Sequence, residues 1–215
     1  MKKTIYLSLF FILLTLSVKA QYKPFQFGLK VSPGFSWIKT DMKGLDGVSN
    51  EFNLNWGFAG NFYFVENYGI STGFDIISVK GSYLFDSNPM EEPSDGEWRN
   101  DINLKYVQIP IGLKMRTSKV GDFRIFGEVA YGLGFLLSDK TTTYKDDVEY
   151  VNDVKYKNIR NALIVKLGLE LIVLKSSCVT AAVSLNDNFT NIVDGGSLNH
   201  NIKGSSINFE IGFMF

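Results

Sequence analysis

The last nine residues, Ile207-Asn208-Phe209-Glu210-Ile211-Gly212-Phe213-Met214-Phe215, alternate strictly. Ile207, Phe209, Ile211, Phe213 and Phe215 fall on one parity, and Asn208, Glu210, Gly212 and Met214 on the other. A period of two is the signature of a β-strand with two unlike faces. Earlier stretches repeat the pattern. Phe25, Phe27, Leu29, Val31, Phe35 and Trp37 oppose Gln26, Gly28, Lys30, Ser32, Gly34 and Ser36. Leu54, Trp56, Phe58, Phe62 and Phe64 oppose Asn53, Asn55, Gly57, Ala59, Asn61 and Tyr63. One face is large and apolar; the other is small, polar or charged. A soluble sandwich alternates too, with its apolar face inward. Its solvent face would favour Lys, Glu and Thr, whereas the second face here is rich in Gly, Ala, Ser and Asn. Small residues fit the crowded interior of a narrow barrel, with the apolar face turned to lipid.

The same reading divides the chain into eight segments, at about 25–38, 53–65, 69–82, 103–116, 122–137, 161–174, 177–190 and 205–215. Most reach the roughly 9–11 residues that a tilted membrane strand needs. The gaps alternate between short (66–68, 117–121, 175–176) and long (39–52, 83–102, 138–160, 191–204). An up-and-down membrane barrel sorts its connections in this way, with short periplasmic turns and long external loops. The expected fold is therefore all-β: an eight-stranded antiparallel up-and-down transmembrane β-barrel.

The N-terminus agrees. Lys2 and Lys3 precede an apolar run from Ile5 to Leu16, then Ser17-Val18-Lys19-Ala20. A basic start, a short apolar core and small residues at −3 and −1 describe a secretory signal peptide. Residues 1–20 are expected to be cleaved between Ala20 and Gln21, leaving 21–215 as one barrel domain. Of 22 basic and 22 acidic residues, cleavage removes three lysines and no acid, leaving 19 against 22. A net charge near −3 argues against nucleic acid as a partner. With a single cysteine, Cys178, the chain has no internal disulfide framework.

Inward parity assigns eight charges to the lumen. Lys30, Lys114, Arg124 and Lys166 are basic; Asp75, Glu128, Glu170 and Glu210 are acidic. Four against four suggests a salt-bridge network that plugs the barrel, because charges away from water must be paired. The other reading, a catalytic carboxylate or proton path, has less to explain once the set balances. Lys114 and Glu128 lie on neighbouring strands, as do Glu128 and Lys166.

The fourth segment carries a proline, in Tyr106-Val107-Gln108-Ile109-Pro110-Ile111-Gly112-Leu113-Lys114. Its ring is expected to face the lumen, with a bulge or kink there eased by Gly112. This stretch resembles the hallmark of the PorT-type outer-membrane β-barrel family of Bacteroidetes, whose fourth strand typically reads Tyr-Leu-Glu-Ile-Pro-Leu-Leu-Leu-Lys. Tyr106, Ile109, Pro110, Leu113 and Lys114 match; Gln108 replaces the usual acid and Gly112 a larger residue. Residues 27–36, 127–138 and 189–192 are similar to other pieces of that family. The resemblance implies an eight-stranded barrel in the outer membrane of a Gram-negative bacterium. It implies no reaction. The founding member is needed for type IX secretion.

Other features support narrower expectations. Phe215, a terminal aromatic on the apolar parity, is similar to the signal read by the barrel-assembly machinery. Trp37, Trp56, Tyr63, Tyr68, Tyr83, Tyr106 and Phe135 fall near segment ends, where an interfacial aromatic girdle is expected. His200, with Ser197, Ser205 and Ser206 nearby, is the one place for a hydrolase-like pair, but it sits in a loop away from any lipid-facing strand. The second long loop holds six acids, including Asp95 and Glu97 around Gly96. A solvated external loop explains it better than a calcium site, since the spacing matches no defined motif. The expected protein is a non-enzymatic barrel with no cofactor and no metal. Its expected partners are outer-membrane lipids and lipopolysaccharide, the assembly machinery and other envelope proteins. A narrow pore, a secretion component and a lipid A-modifying enzyme are the alternatives.

Overall fold

The computed structural model describes residues 24–40, 45–85, 98–145, 148–150, 155–174, 177–193 and 202–215. The cleavage site Ala20–Gln21, the segment 95–97, Ser197 and His200 lie outside the described residues. Ten strands follow in chain order: β1 (Phe25–Thr40), β2 (Leu45–Ser49), β3 (Glu51–Val65), β4 (Tyr68–Phe85), β5 (Trp98–Arg116), β6 (Phe123–Lys145), β7 (Val148–Tyr150), β8 (Ile159–Leu174), β9 (Ser177–Asn188) and β10 (Ile202–Met214). Eight of them close a ring in the order β1-β3-β4-β5-β6-β8-β9-β10, and β10 pairs back onto β1. Every pairing is antiparallel between chain neighbours, so the barrel is up-and-down and has no open edge. Short β2 pairs with the end of β4, and β7 with the end of β6.

Parity decides what each side chain meets. Phe25, Phe27, Leu29, Val31 and Phe35 stand exposed on the outer wall, while Gln26, Lys30, Ser32 and Ser36 are buried inside. In β10 the outer row runs Ile207, Phe209, Ile211, Phe213, Phe215. The ten residue steps from Phe25 to Phe35 span about 25 Å at a typical barrel tilt, the height of a lipid-facing band. At the short-turn end Gly121 adopts φ 63°, which glycine takes without a Cβ clash.

Pro110 is buried, with its ring towards the lumen as its parity requires, but it causes no bulge. The β4–β5 ladder skips residues 109–110 and resumes in the same register, from Thr72↔Ile111 to Asp75↔Gln108. On the other side Pro110 pairs with Gly132 without a shift. In an antiparallel strand a residue's N–H and C=O point to the same neighbour, so a missing N–H disturbs one ladder only. Pro33 in β1 behaves alike: pairing with β3 is unbroken, and pairing with β10 skips from Val31 to Gly34. The bulge lies elsewhere. Lys105 pairs with Ser138 and Tyr106 with Leu136, so Leu137 is the extra residue. Below it the even residues of β6 face the lumen; above it the odd residues do, as in Thr143.

The upper parts of β4, β5 and β6 rise past the lipid-facing band. Beyond Ile76, β4 leaves its ladder with β3 and leans across the barrel mouth. Side chains take over its backbone hydrogen bonds. The Ser78 N–H donates to Asn55 Oδ1 at 2.8 Å, the Lys80 N–H to Ser36 Oγ at 2.9 Å, and the Ser36 hydroxyl to the Lys80 carbonyl at 2.8 Å. Under this crossing lies an apolar cluster of Ile38, Ile77, Val79, Tyr83, Ile102, Leu104, Tyr106, Tyr156, Ile192 and Ile202.

This corrects part of the aromatic girdle. Trp56, Tyr68 and Phe135 are exposed on the outer wall, but Tyr63, Tyr83 and Tyr106 are buried in the lumen. Each of these three lies on an inward position, and the pleat overrides nearness to a strand end.

Candidate functional site

The lumen is filled in two layers. Nearer the short turns is a charged layer. Lys30 on β1 meets Asp75 on β4 at 2.9 Å and Glu210 on β10 at 3.6 Å. Lys166 on β8 meets the same Glu210 at 3.2 Å and Glu128 on β6 at 3.3 Å. One chain of four ion pairs thus links five strands. A second group sits beside it. Lys114 stands opposite Glu128 in register, yet its ammonium crosses the face of Phe126 at 4.1 Å and reaches Glu170 on β8 at 2.7 Å. Glu170 also receives Arg116 at 3.7 Å. The Arg116 guanidinium lies 3.6 Å from the Tyr63 ring centre and donates from Nε to the Glu66 carbonyl at 2.9 Å. All these charged side chains are buried.

Two positions differ from the sequence-based expectation. Arg124 is half-buried and pairs at 3.7 Å with Glu66, an exposed turn residue, so it belongs to the rim. Arg116 takes its place inside. It ends β5 on the same parity as Lys114, and that parity was the signal that marks it. With this exchange, Lys30, Lys114, Arg116 and Lys166 face Asp75, Glu128, Glu170 and Glu210, and the charges still balance. A small polar cavity opens among Lys30, Asn61, Ser71, Glu128, Lys166 and Glu210, against the ring of Pro110.

Above this layer stands a cation on β8, one residue before the segment 161–174 expected from the sequence. Arg160 is fully buried at 1% exposure. Its NH1 donates to Gln108 Oε1 at 2.9 Å, and its NH2 donates to Asn186 Oδ1 at 3.0 Å and the Gly204 carbonyl at 3.4 Å. Asn186 Nδ2 donates to the same Gln108 oxygen at 3.1 Å. Among the described residues no carboxylate lies in ion-pair distance of Arg160. Neutral acceptors surround it, and the apolar cluster closes the lumen beyond.

Of the motif residues, Tyr106, Pro110 and Lys114 face the lumen, and Ile109 and Leu113 face lipid. The phenol ring of Tyr106 lies 6.0 Å from the Arg160 guanidinium carbon, roofing it. Phe215 packs outside. Its ring stacks on Phe27 at 5.4 Å, and its N–H donates to the Phe27 carbonyl at 2.7 Å, sealing the β10–β1 seam. Ser205 and Ser206 sit on β10, within the segment 205–215 expected as a strand. Ser205 donates to Asp187, and Ser206 Oγ accepts from Asn208 Nδ2 at 3.1 Å. Among the described residues no group of three or more His, Cys, Asp or Glu side chains gathers as metal ligands would.

The family described as outer membrane protein beta-barrel domain matches residues 19–194. The chain belongs to that family. As an outer-membrane β-barrel it is an integral protein of the outer membrane of a Gram-negative bacterium, which agrees with the lipid-facing band and the closed ring. Among solved structures, Neisserial surface protein A is 8% identical, with 88% of this chain and 96% of that one covered and a TM-score of 0.49. OprG from Pseudomonas aeruginosa is 16% identical, covers 88% and 92%, and has a TM-score of 0.46. Ail from Yersinia pestis is 16% identical, covers 90% and 100%, and has a TM-score of 0.41. No curated protein matches the chain at a significant level.

Proposed function

We propose that this outer-membrane barrel is a non-enzymatic, non-conducting envelope protein that acts structurally and through its external end. The observation that carries this reading is the filled lumen: balanced ion pairs below, and Arg160 under an apolar cap above. An eight-stranded barrel has room for little beyond its own side chains. A pore would need a continuous polar path, and the cap of Ile77, Val79, Ile102 and Leu104 crosses it. In this reading residues 1–20 are a signal peptide cut before Gln21, and Phe215 is the mark read by the assembly machinery. Lipopolysaccharide and other envelope proteins meet the long-loop end.

A second reading is favoured by Tyr106, Ile109, Pro110, Leu113 and Lys114, which support PorT-type membership in a Bacteroidetes host and, with it, a part in type IX secretion. A deletion strain separates the possibilities. The expected result is unchanged uptake of small solutes and an unchanged lipid A mass spectrum. Loss of exported cargo in the same strain would select the secretion role. Slower solute uptake would select the pore, and an altered lipid A mass would select an enzyme.

A further inference from the structure

The outer wall changes character just above the lipid-facing band on β5 and β6. Ile109, Ile111, Phe135 and Leu137 are exposed and apolar. The next outward positions are Lys105 opposite Ser138, and Asn103 opposite Lys140. Lys105 and Lys140 are thus diagonal neighbours on adjacent strands, which lie about 4.8 Å apart. Both are exposed. Among the described residues neither has an acidic side chain in ion-pair distance.

Three cations elsewhere at this end, Lys39, Arg99 and Lys80, are occupied by partners. Lys39 pairs with Asp187 at 2.8 Å. Arg99 forks onto Asp101 through Nε at 2.7 Å and NH2 at 2.8 Å. Lys80 donates to the Phe52 carbonyl at 3.2 Å. Asp139, next to Lys140 in sequence, stands opposite lumen-facing Leu104 and so lies on the other face of the sheet. Two like charges side by side repel, and a shared anion between them relieves that repulsion. Hydrogen-bonding side chains, Asn103 and Ser138, fill the other two corners of the patch.

We propose that Lys105 and Lys140 clamp a phosphate of outer-leaflet lipopolysaccharide, whose acyl chains lie on Phe135 and Leu137 directly below. A free phosphate would use the lysines but leave the apolar half of the patch unused. An inner-leaflet phospholipid would not reach this level. The proposal rests on the reading that the long-loop end faces outward.

The test uses full-length protein in nanodiscs that contain lipopolysaccharide, dephosphorylated lipopolysaccharide or phosphatidylglycerol, with bound lipid counted by native mass spectrometry. Wild type should prefer phosphorylated lipopolysaccharide. Lys105→Gln with Lys140→Gln should weaken that binding about 30-fold, the size expected for two membrane-facing cations. The matching double arginine variant should keep it, and Lys39→Gln should leave it unchanged. Heat-modifiable gel mobility reports whether each variant is a folded barrel. Equal binding by the glutamine variant overturns the site. So does an equal loss from Lys39→Gln, or a wild type that binds phosphatidylglycerol as well. Labelling of Asn158→Cys on intact cells reports the orientation separately, so a wrong orientation and a wrong site give different results.

Discussion

The two halves of the lumen solve one problem in different ways. Near the short turns, eight buried charges neutralise one another across the barrel, with Glu210 shared by Lys30 and Lys166 and Glu170 by Lys114 and Arg116. Near the long loops an apolar cluster fills the lumen, and among the described residues the buried cation beside it, Arg160, rests on Gln108, Asn186 and Gly204. A charged filling is fragile to the loss of one partner, because a buried charge left alone costs several kcal/mol. An apolar filling loses contacts in proportion to the volume removed. The difference gives the two halves distinct mutational signatures.

Glu210→Ala should have the largest effect. It takes the shared partner from Lys30 and Lys166 and leaves the buried set one acid short of balance, and urea unfolding of the folded barrel in vesicles should show a loss of about 3–5 kcal/mol. If Glu210→Ala were no worse than a surface change, the ion pairs would not be the filling they are taken to be. Leu104→Ala should cost less, about 2–4 kcal/mol in the same assay. It should also raise protease sensitivity in the segments above the band, while Glu210→Ala should not single them out. Gly81→Ala is expected to cost about 1–3 kcal/mol, because a Cβ there would come within 2.6 Å of Ile38 Cγ1 and 3.1 Å of the Ile38 nitrogen. It tests whether β4 leans on β1 as closely as the cap requires. The smallest effect is a gain. Gln108→Glu gives Arg160 a carboxylate and should raise stability by about 1 kcal/mol. A loss would mean that Arg160 already has a counter-charge.

The lower half was the more legible in the sequence. Its strands keep one parity throughout, so Lys30, Asp75, Lys114, Glu128, Lys166, Glu170 and Glu210 were placed inward from alternation alone. Their partners were harder to name. Lys114 passes over Phe126 to Glu170 and leaves its register neighbour Glu128 to Lys166, and side-chain reach across a curved wall is not written in a linear pattern. Arg116 and Arg124 exchanged roles because both lie at strand ends, where the distance from the rim decides burial. The upper half was less legible for three local reasons. Leu137 inserts a bulge that reverses the parity of β6, so Thr141 and Thr143 turn inward. β4 breaks its ladder after Ile76, and its polar outer residues Ser78 and Ser82 become buried without any apolar signal. Arg160 lies one residue before the segment assigned to its strand, in a stretch that reads as loop.

Pro110 shows how far a residue rule carries. Its missing N–H predicted a disturbance, and one exists, but only as a gap in the β4–β5 ladder. The strand itself stays in register because its other neighbour, β6, never needed that donor.

The central claim is that the two fillings together close the barrel. Single-channel recording of the full-length protein in planar bilayers tests this most directly. A closed lumen predicts a flat baseline under applied voltage, with no reproducible steps. Steady ohmic steps of uniform size from the wild-type barrel would contradict it.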